Sequence, residues 1–461
     1  MPAIITNKFR VHSAEQFNES FGEAGDTYYL GIGRPQAFVD NQAFNDGTDA
    51  APPTPNDDIG SEFYAYDDML SAKKISSSDV SIVIPRRNWT SGTVYDYYRH
   101  DIGNINTAGS TITATSGATN LFDATFYVMN STYDVYKCID NNSGGASTTE
   151  PTGNKSTSVF TTADSYKWKY MYSLTAAEQA AFLSTDFMHV STESTDYSTT
   201  AGAIENVKIT DGGSSGTDNT YTSVTIRGDG SGGVCTVVVS SGAVTSVTIT
   251  NAGSGYTFAS VLASDIGSVS GADIDFIISP EGGHATDCVK ELGGFFVMLN
   301  VDLTQSESGE FTTDNDFRRI ALLRNPVDST TGSTATASTL DATKSMTFAS
   351  DPGTFTVDEK ITGSSTGAIG YVVDYNTSTY VLRYIQPQFA NQGVDASGDL
   401  TEFTTSDTVT GATSGISGSP SSVDTTPELT HDSGDILYIE NRKPISRAAD
   451  QTENIKLIVE F

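Results

Sequence analysis

Alternation of apolar and polar positions with a period of two runs through much of this chain. In YKWKYMY, Tyr166, Trp168, Tyr170 and Tyr172 alternate with Lys167, Lys169 and Met171. That period predicts a strand with one aromatic face. The runs TYYLGIG, VSIVIP, ATFYVMN, YDVYKCID and GGFFVMLNVDL are short and rich in β-branched and aromatic residues, and predict further strands. Helical periodicity is scarce. TAAEQAAFL offers Thr175 as N-cap with Glu178 three residues on, a capping box. SAEQFNESF repeats the device with Ser13 and Gln16, and SEFYAYDDMLSAKK predicts a third helix. Its closing Lys73 and Lys74 suit the negative end of a helix dipole. CTVVVSSGAVTSVTI predicts a hairpin with Gly242 in its turn. GIGRP, residues 31–35, lacks the third glycine of a dinucleotide loop, and Pro35 blocks a helix start, so it predicts a turn.

Two stretches stand apart from this pattern. Residues 203–278 are dominated by Gly, Ser, Thr and Val, with a partial repeat: ITDGG from Ile209 and ITNAG from Ile249. Residues 327–428 hold three basic residues, Lys344, Lys360 and Arg383, against twelve acidic ones. Here FTVDEKITGSSTG from Phe355 recurs as FTTSDTVTGATSG from Phe403, at an offset of 48. The recurrence predicts two copies of one β unit sharing a core; two copies are too few for a solenoid. The expected organisation is therefore a host domain made of 1–202, 279–326 and 429–461. Two small β domains, 203–278 and 327–428, are inserted into it.

Composition supports a mainly β protein. Its 42 glycines and 18% charged residues suit short strands and tight turns rather than long helices. The 10% of aromatic residues argues against general disorder. A net charge of -32 argues against nucleic acid as the main partner, because a phosphate-binding face needs clustered Lys and Arg. Cys138, Cys235 and Cys288 are few, odd in number and far apart. They predict neither a disulfide framework nor a zinc site of cysteines. The N-terminal segment lacks the apolar core of a secretory signal, and no apolar run reaches the ~18 residues of a membrane span. The expectation is a chain made in a cytoplasm, with no membrane partner.

Catalytic signatures are thin. GGHATDC places His284 four residues before Cys288, but a Cys–His dyad also needs alignment and a third orienting group. The expected role is a turn feeding the next strand, with Cys288 as a small buried residue. Five scattered histidines and the pairs Asp273/Asp275 and Asp314/Asp316 give no metal-ligand spacing. No catalytic, metal or cofactor residue is expected. A glycan role for the insertions would need exposed aromatic platforms, for which Tyr256, Tyr371, Tyr375 and Tyr380 are available.

The basic residues gather in short clusters. IPRRNW carries Arg86, Arg87 and Trp89, types enriched at protein interfaces. DFRRIALLRNP carries Arg318, Arg319 and Arg324. ENRKPISRAADQT carries Asn441, Arg442, Lys443, Arg447 and Asp450. Arg86, Arg87, Trp89, Arg318, Arg319, Asn441, Arg442, Lys443, Arg447 and Asp450 are thus candidates for an interface or for structural charge clusters. The C-terminal segment predicts a charged loop, kept out of helix by Pro444, that leads into a closing strand.

IITNKFR, IVIPRRNW, VYKCIDNN, YKWKYMYSL, FRRIALLRNP and SGDILYIENRKPISRAADQTENIKLIVEF occur in that order. Together they resemble the baseplate wedge subunits of T-even-type contractile-tailed bacteriophages, the wedge component numbered eight. The resemblance covers the host segments only. It implies an elongated, mainly β-sandwich subunit with a few short helices and no enzymatic activity. It also implies a homodimer bound to other wedge proteins in the virion's tail baseplate, assembled in the host cytoplasm and holding the baseplate before sheath contraction. The alternative is a tail adhesin or glycan-binding protein acting through the inserted β domains.

Overall fold

The structure is a computed structural model that describes residues 5–38, 47–106, 109–153, 155–190, 197–387 and 393–461. It is mainly β, with antiparallel sheets and few helices. The chain forms two compact units: one of Met1–Phe17, Ser81–Met298 and Ile458–Phe461, the other of Asn18–Val80 and Leu299–Leu457. Each unit contains one of the two Gly/Ser/Thr-rich stretches. The remaining segments are shared between them.

The first unit is built on a four-stranded sheet in the order Tyr127–Met129, Asp134–Asp140, Lys167–Ser173, Phe160–Thr161. Both faces are covered, so its central strands are buried almost end to end. Tyr136, Cys138, Tyr166, Trp168 and Tyr170 form one core, in which the Tyr166 and Trp168 rings stack at 5.5 Å. Tyr172 departs from the predicted aromatic face and joins the core on the opposite side, with Met171 and Leu292. The cause is a register shift, since Val135 faces Tyr172 while Tyr136 faces Tyr170. An extra residue in one strand reverses the alternation beyond it.

The Gly/Ser/Thr-rich stretch of this unit has its own apolar core, which includes Ile204, Val237, Tyr256 and Phe276. Val234–Ser240 and Ala243–Asn251 form the predicted hairpin. Its turn has positive φ at both central residues, Ser241 (54°) and Gly242 (80°), the mirror-image turn that matches strand twist. The partial repeat reappears as one local device: Asp211 accepts from the Gly213 N–H at 2.8 Å and Asn251 from the Gly253 N–H at 3.1 Å.

Two helix predictions change. Ser13 does not cap a helix; it lies inside the helix Asn7–Ser20 and donates back to the Phe9 carbonyl at 2.9 Å, an alternative that mid-helix serines commonly take. SEFYAYDDMLSAKK divides into a helix, Ile59–Asp67, and a strand, Met69–Ile75. That strand pairs with Tyr28–Gly33, and this pairing overrides local propensity. Thr175 and Glu178 do form the predicted capping box on Ala176–Phe182. GIGRP lies mostly within the strand Tyr28–Gly33, and positive φ first appears at Arg34.

The second unit contains a five-stranded sheet in the order Thr339–Asp341, Met69–Ile75, Tyr28–Gly33, Asp316–Arg324, Asp435–Ser446. All four pairings are antiparallel. The predicted charged loop is instead the edge strand Asp435–Ser446. Pro444 is accommodated where the pairing with Asp316–Arg324 shifts, between Phe317/Ile445 and Arg319/Asn441. An edge strand at a bulge is one of the few places where a sheet tolerates proline. Residues 447–451 make the link to the closing strand Thr452–Glu460.

The repeat-bearing stretch of this unit forms a seven-stranded sheet around Met346, Phe355, Ile361, Tyr384, Phe403 and Val409. Its two ends are the successive strands Ser417–Gly418 and Pro420–Asp424, so the sheet curls round its core. The two repeats pair directly, Lys360–Gly363 against Val409–Gly411. Each supplies an acid that clasps the other's loop. Glu359 accepts from the Thr413 and Ser414 N–H groups, both at 2.8 Å. Asp407, 48 positions on, accepts from the Ser365 and Thr366 N–H groups at 2.8 and 2.9 Å. Burial alone would raise both carboxyl pKa values, but these hydrogen bonds outweigh it and hold both below the ordinary range.

Candidate functional site

Most of the arginines singled out in the sequence are held inside the fold. In the second unit, Arg318 and Arg319 are neighbours on one strand and therefore point to opposite faces. Arg318 donates to Asp49 through two nitrogens at 3.0 and 3.1 Å, and to Asp316 at 3.0 Å. Burial raises the Asp49 pKa, but Arg318 and the Phe38 N–H outweigh this and hold the carboxyl below its usual range. Arg319 donates to Asn441 at 2.9 Å, to the Tyr64 carbonyl at 2.6 Å and to Asp68 at 2.7 Å. Asp68 is 1% exposed and also lies 3.6 Å from Arg34. Asn441 then donates to the Pro53 carbonyl at 3.0 Å. Arg318, Arg319 and Asn441 therefore tie the sheet to the segments around Asp49, Pro53 and Asp68.

Arg447 is buried as well. It donates to Glu453 and to the Thr312 carbonyl, each at 3.0 Å, and lies over the Phe311 ring. Arg442, Lys443 and Asp450 are exposed. Arg442 lies 3.6 Å from Glu440, and Lys443 has no ion-pair partner among the described residues. The strand that carries Arg442 and Lys443 also exposes Leu437 (46%) and Tyr438 (39%). Its outer edge pairs with no described strand.

In the first unit, Arg86, Arg87 and Trp89 form a separate group. Arg86 donates to the Ser184 carbonyl at 2.8 Å. Arg87 donates to the Ala124 and Phe122 carbonyls and lies 4.5 Å above the Tyr127 ring. The Trp89 indole N–H donates to Ser147 at 3.1 Å. All three are half-buried.

The sequence does not reveal a buried charge cluster in that unit. Lys137 and Lys169 sit directly opposite each other on paired strands, and both are fully buried. Like charges in that position repel, and two carboxylates offset them. Lys137 pairs with Glu291. Glu205 lies close enough to counter both lysines, although burial pushes its pKa up. Burial lowers the Lys169 pKa to about 8. His284 lies 3.5 Å from Glu205, and burial, with Lys137 and Lys169 nearby, pushes its pKa well down. Single lysines inside apolar strands were the available signal, but their partners lie far along the chain. Cys288 opens the short helix Cys288–Leu292, and its thiol points to the Met171 carbonyl at 3.8 Å. Burial raises that thiol's pKa far above its usual value, which opposes formation of a nucleophilic thiolate. Among the described residues no group of three or more His, Cys, Asp and Glu is placed to hold a metal ion.

The candidate residues thus divide between arginines paired inside antiparallel sheets and an exposed edge strand. Comparison with known proteins points to a particular family. Residues 3–144 match the family model described as Bacteriophage T4, Gp8. A relative, the baseplate wedge protein gp8 of Enterobacteria phage T4, is 30% identical over 105 residues. The alignment covers 22% of this chain and 30% of that protein, so the chain matches under a third of the relative's length. The matched region contains IITNKFR, IVIPRRNW and VYKCIDNN, and bears out the resemblance there.

Proposed function

We propose that the chain is a structural subunit of a phage tail baseplate, located in the virion and without enzymatic activity. Within the baseplate it belongs to the wedge, as a homodimer that binds neighbouring wedge proteins and steadies the assembly before sheath contraction. The match of residues 3–144 to the gp8 family carries this reading. The edge strand Asp435–Ser446, with exposed Leu437, Tyr438, Arg442 and Lys443, offers a surface for a neighbour. Open strand edges are natural templates for pairing with another chain.

Light scattering after size exclusion, followed by mixing with the other wedge proteins of the same phage, tests the proposal. A dimer that enters a larger complex is the expected result. A trimer that ignores the wedge proteins would overturn it in favour of a tail adhesin.

A further inference from the structure

In the second unit, the turn that leads into the edge strand Asp435–Ser446 carries a histidine between two carboxylates. His431 Nδ1 lies 2.9 Å from Asp432, and its Nε2 lies 3.5 Å from Asp67. Nε2 is buried and makes no hydrogen bond among the described residues. The Phe63 and Tyr66 ring centroids stand 5.1 and 5.4 Å from that of the imidazole and fix its place. Asp67 is the last residue of the helix Ile59–Asp67, and its side chain is buried. The Tyr66 hydroxyl donates to the Ser433 carbonyl, so the helix end and the turn meet at two points.

This arrangement suits one protonation state. A neutral imidazole has one N–H and one bare lone pair. With both nitrogens facing carboxylates, either tautomer aims that lone pair at a negative charge. The imidazolium instead presents a donor to each. It also sets a positive charge at the C-terminal end of a helix, where the backbone dipole favours it. The other charges nearby do not reverse this balance. Glu62 and Asp435 add negative charge around Tyr66. Lys344, across the cavity that His431 lines, is engaged by Glu402 at 3.2 Å. Asp68 is engaged by Arg319 at 2.7 Å. Burial alone would lower the imidazole pKa, but Asp67 and Asp432 outweigh it and hold it above its ordinary value.

We propose that His431 is a pH-sensitive latch. As imidazolium it pins the turn 430–434 to the end of the helix Ile59–Asp67, and loss of its proton releases that turn and with it the entry to the edge strand. With the folded pKa above the unfolded value of about 6.5, the latch contributes its full stability below that pH and loses it as pH rises through the folded pKa. The latch is independent of baseplate assembly, so failure of either proposal leaves the other standing.

NMR of ring-labelled histidine in the full chain tests it, with His431→Gln to identify the resonance. The His431 midpoint should exceed ~6.5, and Asp67→Asn should lower it. Asp432 is exposed and has a φ of 56°, a conformation that asparagine tolerates. Asp432→Asn should therefore keep the fold and lower the midpoint as well. Hydrogen exchange of residues 430–436, corrected for its intrinsic pH dependence, should quicken several-fold as pH rises through that midpoint. In His431→Gln it should not respond to pH. A midpoint at or below ~6.5, a midpoint unmoved in both aspartate variants, or the same exchange response with and without His431 would overturn the proposal.

Discussion

Asp68 and Arg442 show how differently two charged residues of the same unit are placed. Asp68 is enclosed between Arg319 and Arg34, whereas Arg442 stands in solvent, 3.6 Å from a half-buried Glu440. Removing one member of a buried ion pair leaves an uncompensated charge and costs about 3–5 kcal/mol. An exposed pair contributes about 0–1 kcal/mol. Asp68→Ala should therefore lower the denaturant midpoint markedly, and Arg442→Ala should leave it nearly unchanged. If Arg442→Ala also leaves wedge assembly unchanged, this exposed arginine plays no part in docking. Residue types were legible in the sequence here, but burial was not. Arg318 and Arg442 look alike as letters, and only the position of each strand within its sheet separates them.

At the scale of elements, the reciprocal clasp makes a sharper forecast. Glu359→Ala and Asp407→Ala each strand two backbone N–H groups of the partner repeat. Each substitution should cost about 1.5–3 kcal/mol, measured by unfolding of the full chain. Both carboxyl pKa values are depressed in the fold. Their contribution is therefore complete above the unfolded value, about 4, and fades as pH falls through the folded one. The acid side of the stability profile should flatten in the double variant. The strands themselves were readable from period-two runs, and the repeat from its offset. The Tyr172 reversal and the Met69–Ile75 strand were not, because both are set by pairing across the sheet. The edge strand around Pro444 was missed for a related reason. Its bulge depends on the register against Asp316–Arg324, which no local pattern encodes.

For the whole molecule, excision of the repeat-bearing module is the informative change. Removing 329–427 would also take away Ala335 and Leu340, which belong to the core under the five-stranded sheet. A narrower cut respects the architecture. Ser345 and Asp424 are register partners, so a short Gly-Ser link can replace the residues between them. That variant should fold, keep the oligomeric state of the full chain and keep its binding to wedge proteins. Insoluble product would show the module to be integral to its unit. The boundary at 327 was drawn from composition, which changes there, whereas the core contributed by Thr339–Asp341 extends past it.

The clasp made by Glu359 and Asp407 also has the form of a symmetric pair. Each repeat holds the other's loop with an acid and offers its own loop in return, as identical subunits do across a two-fold axis. Because both halves lie in one chain they need not be identical, and glutamate stands in one where aspartate stands in the other. The freedom has a limit, because a change that abolishes either acid leaves the opposite loop uncapped. A chain carrying a single repeat would need its mate from a second copy.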